Sequence, residues 1–216
     1  WDSRRWTINL FTEVSPIYCR VSGSRILWVL AYGYRPNKSA HQAMQSLQMN
    51  LQYGSFGCIV EAAIKGFFDN MNHQWLLKML AQRVDDGALL NLINQWLKAR
   101  IVEPGGVFHK PKAGTPQGGV ISPILANVYL HYALDLWFEK VIKPRCRGQV
   151  MLIRYADDFV AAFFQYAEDA SWFYEELPKR LTKFDLEVAP EKTSMKRFSR
   201  FRPTQANYFE FLGFRL

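Results

Sequence analysis

Two adjacent carboxylates, Asp157 and Asp158, stand between two apolar runs, and this juxtaposition restricts the fold more than anything else in the chain. Met151-Leu152-Ile153 leads into Tyr155-Ala156-Asp157-Asp158, and Phe159-Val160-Ala161-Ala162-Phe163-Phe164 leads out. Both runs have the branched and aromatic content of strands, so the four residues read as the tip of a hairpin. Like charges at such a tip repel each other unless a cation lies between them. Paired Mg²⁺ ions gripping a phosphoryl group need this arrangement: hard carboxylate oxygens fixed on rigid strands. Asp is also a common turn residue, so a merely solvated turn is the competing reading and the rest of the chain must decide.

The 216 residues allow one large domain or two small ones, and 49% hydrophobic content with 15% aromatics argues for a packed core rather than disorder. A formal charge of +8 favours a polyanionic partner, most simply nucleic acid. Much of the excess is local: Lys179, Arg180, Lys183, Lys192, Lys196, Arg197, Arg200 and Arg202 crowd the C-terminal quarter, with Phe184, Phe198 and Phe201 between them. Such interleaving suits phosphate contacts combined with base or sugar packing. Cys19, Cys58 and Cys146 are far apart and lack metal-ligand spacing, as do His41, His73, His109 and His131, so structural roles are expected for them. No apolar run reaches the length of a membrane span and no secretory signal is visible. The expectation is a soluble, cytoplasmic chain without a membrane partner.

Residues 1–30 show scattered aromatics without a sustained period. Gly33 to Ser39 is rich in turn formers, and Ser39 is placed to cap a helix through Ala43, Met44, Leu47 and Leu51. Phe56 to Ile64 reads as a buried strand, and Asp69-Asn70-Met71-Asn72 starts a helix through Leu76, Leu77 and Leu80, with Asp69 expected as a cap. A further helix fits Ala88 to Arg100, with Leu89, Ile93, Trp96 and Leu97 on one stripe. Gly105 to Gly119 reads as loop, and from Ser122-Pro123 a long helix reaches about Lys143. After the acidic hairpin come a helix over Glu168 to Phe184 and short strands at Val188 and Tyr208 to Leu216. This order predicts a mixed α/β (α+β) fold, with helices behind a small antiparallel sheet whose other face is free for a ligand.

Four further blocks surround the hairpin in a fixed order: Tyr32 to His41 (YGYRPNKSAH), Ile64 to Asn70 (IKGFFDN), Gly114 to Pro123 (GTPQGGVISP) and Phe211-Leu212-Gly213-Phe214. With the acidic turn they resemble the reverse transcriptase domain of group II intron-encoded proteins, and residues 31–216 resemble its fingers and palm. The resemblance implies an RNA-directed DNA polymerase that adds dNTPs to a DNA primer on an RNA template, with group II intron RNA as partner and two Mg²⁺ ions as cofactors. It implies Asp157 and Asp158 as metal-binding catalytic carboxylates. Lys65, Gly66, Phe67, Phe68, Gln117 and Lys192 would contact the nucleotide, with Phe68 under the sugar to exclude a 2′-hydroxyl. Arg35, Lys38, Gly118, Gly119, Phe211, Leu212 and Gly213 would meet the nucleic acid. Phe68 also fits a core role, Gly118-Gly119 a plain turn, and Arg35 and Lys38 solvated loop charges. A homodimer is left open.

The chain departs from this family at Ala63, where a metal-binding Asp is expected immediately before Ile64-Lys65-Gly66-Phe67-Phe68. Alanine cannot ligate. Glu61 shares the face of residue 63 by strand alternation but lies about 6–7 Å upstream, too far for one extra methylene to span. Between Pro16 and Tyr32 only Arg20 and Arg25 could serve as the basic finger segment, and Ser22-Gly23-Ser24 resembles a shortened connection. Neither a thumb nor a maturase domain is expected within these residues. Two readings follow: an RNA-directed DNA polymerase domain impaired at Ala63, or a catalytically inactive, maturase-like RNA-binding remnant. A cyclase-like palm without nucleic acid is disfavoured by Pro116-Gln117-Gly118-Gly119 and the basic C-terminal quarter.

Overall fold

The computed structural model describes residues 32–33, 39–99, 101–102, 108–109, 113–115, 121–155, 159–197, 210–211 and 214–215. In chain order its elements begin with α1 (Ala40–Tyr53), β1 (Cys58–Ala62), the short turn α2 (Phe67–Asn70), α3 (His73–Ala81) and α4 (Gly87–Leu97). The two-residue strands β2 (Ile101–Val102) and β3 (Phe108–His109) precede α5 (Ser122–Leu130). That helix runs on through π-helical stretches at His131–Asp135 and Phe138–Ile142 to a last turn at Lys143–Arg145. Then come β4 (Val150–Tyr155), β5 (Phe159–Phe164), α6 (Ala167–Thr182), a 3₁₀ turn at Pro190–Lys192, β6 (Ser194–Arg197), β7 (Glu210–Phe211) and β8 (Phe214–Arg215).

The starts of α1, α3 and α4 follow from their capping residues. Ser39 and Gln42 form a reciprocal capping box at α1. Asn72 accepts from Gln74 and Trp75 at α3, and Asp86 accepts from Ala88 and Leu89 at α4. Asp69 is therefore not the cap that the sequence suggested: it lies inside α2, and Asn72 supplies the capping oxygen. Helix α4 also stops at Leu97, short of Arg100. The long helix is where expected, and its apolar residues are buried around most of its circumference, Leu125, Val128, Leu130, Leu134 and Phe138 among them. A helix apolar on every side belongs inside the core. Its π-helical turns left no trace in the hydrophobic period.

The hairpin forms as read. Strands β4 and β5 pair antiparallel from Val150↔Phe164 to Tyr155↔Phe159. They belong to a four-stranded sheet of order β4-β5-β1-β6, in which β1 pairs with β5 on one side and β6 on the other. Strand β6 was not read from the sequence: Ser194-Met195-Lys196-Arg197 has too few apolar residues to signal a strand. One face of the sheet packs Cys58, Val60, Ala62, Leu152, Ala162 and Phe164 against the long helix and α6. Phe138, Phe164 and Phe173 meet there with ring centroids 5.3 to 6.4 Å apart.

The opposite face is not wholly free for a ligand, contrary to expectation. Helix α1 covers part of it, setting Ala43, Leu47 and Leu51 on Ile59, Ile153 and Phe163. All five residues of β1 are consequently buried. Among the described residues no helix is long and apolar enough to cross a membrane. The segment 1–30 lies outside the described residues.

Burial of His131 gives the core a pH dependence. Desolvation outweighs the nearby Asp135 carboxylate and pulls the imidazole down to about 4. The unfolded chain takes up this proton near pH 6.5, whereas the folded protein refuses it until about pH 4. The stability is therefore whole above pH 6.5 and declines as the pH falls toward 4. Urea denaturation at pH 7 and pH 5 should show the unaltered protein losing about 2 kcal/mol more than His131→Leu over that interval. Equal losses in the two proteins would refute the assignment.

Candidate active site

The central strand carries the site's weakest point. Pairing Ala62↔Val160 on one strand pair and Tyr155↔Phe159 on the next sets residue 63 level with the base of the connection that holds residues 157 and 158. Neighbouring strands lie about 5 Å apart, so a carboxylate at residue 63 could face that connection. Ala63 is buried, and its carbonyl accepts from Ala189 N–H at 2.8 Å. Its methyl group offers nothing to a cation. Glu61 is already engaged: its Oε2 accepts from Lys196 Nζ at 2.7 Å and from Ser194 Oγ at 3.0 Å. Its Oε1 is buried without a hydrogen-bond partner. Asp69 is exposed on α2, beyond the Gly66 turn. The donors that β1 presents thus do not fit a pair of divalent ions, for which a shared carboxylate on this strand is needed.

Past Ala63 the chain leaves the four-stranded ladder and bridges to a different partner. Ile64 pairs with Val188, and Lys65 N–H donates to Glu187 O at 2.8 Å. The same stretch leads through Ala189 into the 3₁₀ turn with exposed Lys192, so Lys192 belongs to a segment running alongside residues 63–65. Gly66 adopts a left-handed conformation at φ 51°, and Asp69 and Asn70 N–H both donate to its carbonyl. The N–H groups of Phe67 and Phe68 stand at the open end of this turn. Phe67 is core, edge-on to Tyr129 at 6.0 Å, whereas Phe68 is half-buried against it at 5.5 Å. Of the two rings, only Phe68 keeps a surface for a ligand.

The stretch that introduces Gln117 is tied to this turn. Thr115 N–H donates to Phe68 O at 2.7 Å, and Gly114 N–H donates to Met71 O at 2.8 Å. Buried His73 directs Nε2 at the Gly114 carbonyl, which calls for the proton on that nitrogen. Two sequence blocks separated by more than forty residues therefore meet backbone to backbone. The structural role expected of His73 holds, and Gly114-Thr115 open one of the quoted blocks, but that they join the Phe68 turn was not read from the sequence.

Several expected site residues lie outside the described residues: Asp157, Asp158, Gln117, Gly118, Gly119, Arg35, Lys38, Leu212 and Gly213. Phe211 is described as backbone only, in a β7–β8 ladder where it pairs with Phe214. The basic C-terminal quarter divides on inspection. Arg180 is spent internally, donating to the carbonyls of Ala133 and Tyr132 with its guanidinium 4.6 Å above the Phe184 ring. Lys179 pairs with Glu176, and Lys196 with Glu61. Phe184 packs on Trp75 and Tyr129 and is not a free stacking platform. Lys179 and Lys196 stay exposed in their pairs, as do Lys183, Lys192 and Arg197, while Arg200, Arg202, Phe198 and Phe201 lie outside the described residues.

A four-stranded antiparallel sheet backed by helices, with an acidic connection closing its β4–β5 hairpin, has the architecture of a polymerase palm. Residues 17–216 match the reverse transcriptase (RNA-dependent DNA polymerase) family, and the chain belongs to it. It is 28% identical over 220 residues to the group II intron-encoded protein LtrA of Lactococcus lactis subsp. cremoris, covering 76% of this chain and 36% of LtrA. It is 30% identical over 161 residues to Protein YkfC of Escherichia coli, covering 61% of this chain and 42% of YkfC. The chain thus spans less than half the length of these relatives. The fold also superimposes on apo telomerase from Candida tropicalis, truncated from its C-terminal domain, with a TM-score of 0.69 at 14% identity, over 98% of this chain and 45% of that one. The chain is a reverse transcriptase domain homologous to group II intron-encoded proteins.

Gly114 tests the joint between the two blocks. Its φ is +84°, and a Cβ there would stand 2.5 Å from Phe68 O and 2.7 Å from Asp69 O. Both are backbone atoms that cannot swing away. Gly114→Ala is expected to cost about 2 kcal/mol or more in urea denaturation. A loss within experimental error would show that the two blocks do not meet as described.

Proposed function

We propose that this domain keeps the nucleic-acid-binding face of a reverse transcriptase but does not extend primers. One observation carries the proposal: Ala63 directly follows the central strand, level with the base of the acidic connection, and the strand's own carboxylate, Glu61, is committed to Lys196 and Ser194. Divalent metal ions serve this family by activating the primer 3′-oxygen and neutralising the phosphates, and Asp157 and Asp158 would be the residues left to hold them. The loss of a shared ligand from such a catalytic unit lowers the rate by about 10³-fold or more.

The residues that remain support binding. Gly66 lets the backbone approach a phosphate, and the Phe67 and Phe68 N–H groups lie at the open end of the turn. Phe68 would lie under the nucleotide sugar, and Gln117, introduced two residues after Thr115, would touch the nucleotide or template strand. Lys192 would place a cation near the triphosphate. Arg35, Lys38, Gly118, Gly119 and Phe211 to Gly213 would meet template and primer. RNA is the favoured polyanion, with group II intron RNA the natural candidate given the relatives, and dNTP and DNA primer are the ligands of an active form.

Primer extension on an RNA template with Mg²⁺ and dNTPs is expected at background for the unaltered chain. Ala63→Asp should raise it about 10²-fold or more, and adding Asp157→Ala should abolish the gain. RNA affinity should be measurable without synthesis and should fall steeply between 50 and 200 mM salt, as for any protein that displaces counterions from phosphates. Robust synthesis by the unaltered chain would overturn the non-polymerising reading. Affinity that ignores salt would overturn the RNA-binding one.

A further inference from the structure

Among the described residues Arg154 is one of the largest fully buried side chains, and it lies in β4 one residue before Tyr155. Its Nε and one terminal nitrogen donate to the two oxygens of Asp135 at 3.0 and 2.9 Å, a bidentate fork. Its other terminal nitrogen donates to Asn127 Oδ1 at 2.9 Å. Asn127 is buried as well and passes the chain on, donating from Nδ2 to Gly33 O at 2.9 Å. The backbone closes the circuit: Tyr32 N–H donates to Arg154 O at 3.0 Å. Three separate parts of the fold meet here. They are the strand that enters the acidic connection, the long helix behind the sheet, and residues 32–33 that lead into the segment containing Arg35 and Lys38.

We infer that Arg154 is a positioning residue, holding the base of the acidic connection and the chain at Tyr32-Gly33 as one unit. A buried ion pair is a poor source of stability, because taking both charges out of water offsets most of their attraction. A planar fork nevertheless fixes direction as well as distance, which a lysine or an apolar pair does not. Asp135 sets the fork from the helix side, and Asn127 fits its remaining edge while turning its amide nitrogen to Gly33. The guanidinium thus joins the strand, the helix and the Tyr32-Gly33 segment, beside the backbone bond from Tyr32 to Arg154. The functional consequence rests on the RNA-binding reading above, since both ends of the network lead toward residues proposed to touch nucleic acid.

The test separates positioning from mere stability. Arg154→Met alone leaves Asp135 buried and unpaired and can fail to fold, so the decisive variant is the double Arg154→Met with Asp135→Leu. It removes both buried charges together but leaves Asn127 Oδ1 without its donor, so a fall in melting temperature of a few degrees at most is expected. Hydrogen exchange followed by mass spectrometry should nonetheless show segments spanning residues 32–33 and 155–159 exchanging about tenfold faster or more, with α6 unchanged as the internal reference. Arg154→Lys, which keeps the charge but not the fork, should accelerate the same two segments. Unchanged exchange in both segments of the double variant, or acceleration in only one, overturns the inference. Acceleration of both with unaltered RNA affinity sustains the positioning role and removes the RNA-binding reading instead.

Discussion

The double-sided pairing of Cys58–Ala62 is the constraint on which the rest of the structure depends. A strand paired on both edges and covered on both faces has no freedom to slip, because a shift by one residue would turn every side chain to the wrong face. That register decides what stands beside the acidic connection, and in this chain it is Ala63. It also puts Glu61 across from Ser194 and within reach of Lys196, where its carboxylate is held by a cation from the neighbouring strand. The sheet's architecture survives the loss of a ligand because a methyl group packs at a buried position at least as well as a carboxylate would. Fold and chemistry are separable at this position.

Charge in this protein is divided between internal and external use. Arg154 and Arg180 serve the fold: one in a fully buried fork, the other at the edge of the core over Phe184 and Trp137. Of the C-terminal cations that composition assigns to nucleic acid, Lys183, Lys192 and Arg197 are exposed, and Lys179 and Lys196 are exposed but paired with carboxylates. The pairs of Arg154 with Asp135, Lys179 with Glu176 and Lys196 with Glu61 each sum to zero, so they leave the net charge of +8 intact while lowering the number of basic side chains free to meet phosphate.

What the sequence disclosed is what local rules encode. The hairpin was legible because two apolar runs flank a short polar gap, and helix α1 because Ser39 and Gln42 meet the chemistry of an N-terminus. Family membership was legible from ordered blocks. Strand β6 escaped because it is an exposed edge of polar residues stabilised by its neighbour rather than by its own pattern. Asp69 was misplaced by three residues because Asp and Asn cap with similar ease, and only the fold decides which one stands at the start. The Arg154–Asp135–Asn127 network was invisible for a different reason: its members are scattered over 28 positions and meet only when sheet and helix pack. An arginine inside an apolar strand was the one trace it left.

The central claim is that the wall of the site contributed by β1 cannot bind metal. Counting Mn²⁺ bound at saturation, by electron paramagnetic resonance on the chain with RNA template, primer and dNTP, tests it most directly. The account predicts fewer than two ions at the site of the unaltered chain and two in Ala63→Asp. Two tightly bound ions in the unaltered chain, sensitive to Asp157→Ala, would contradict it.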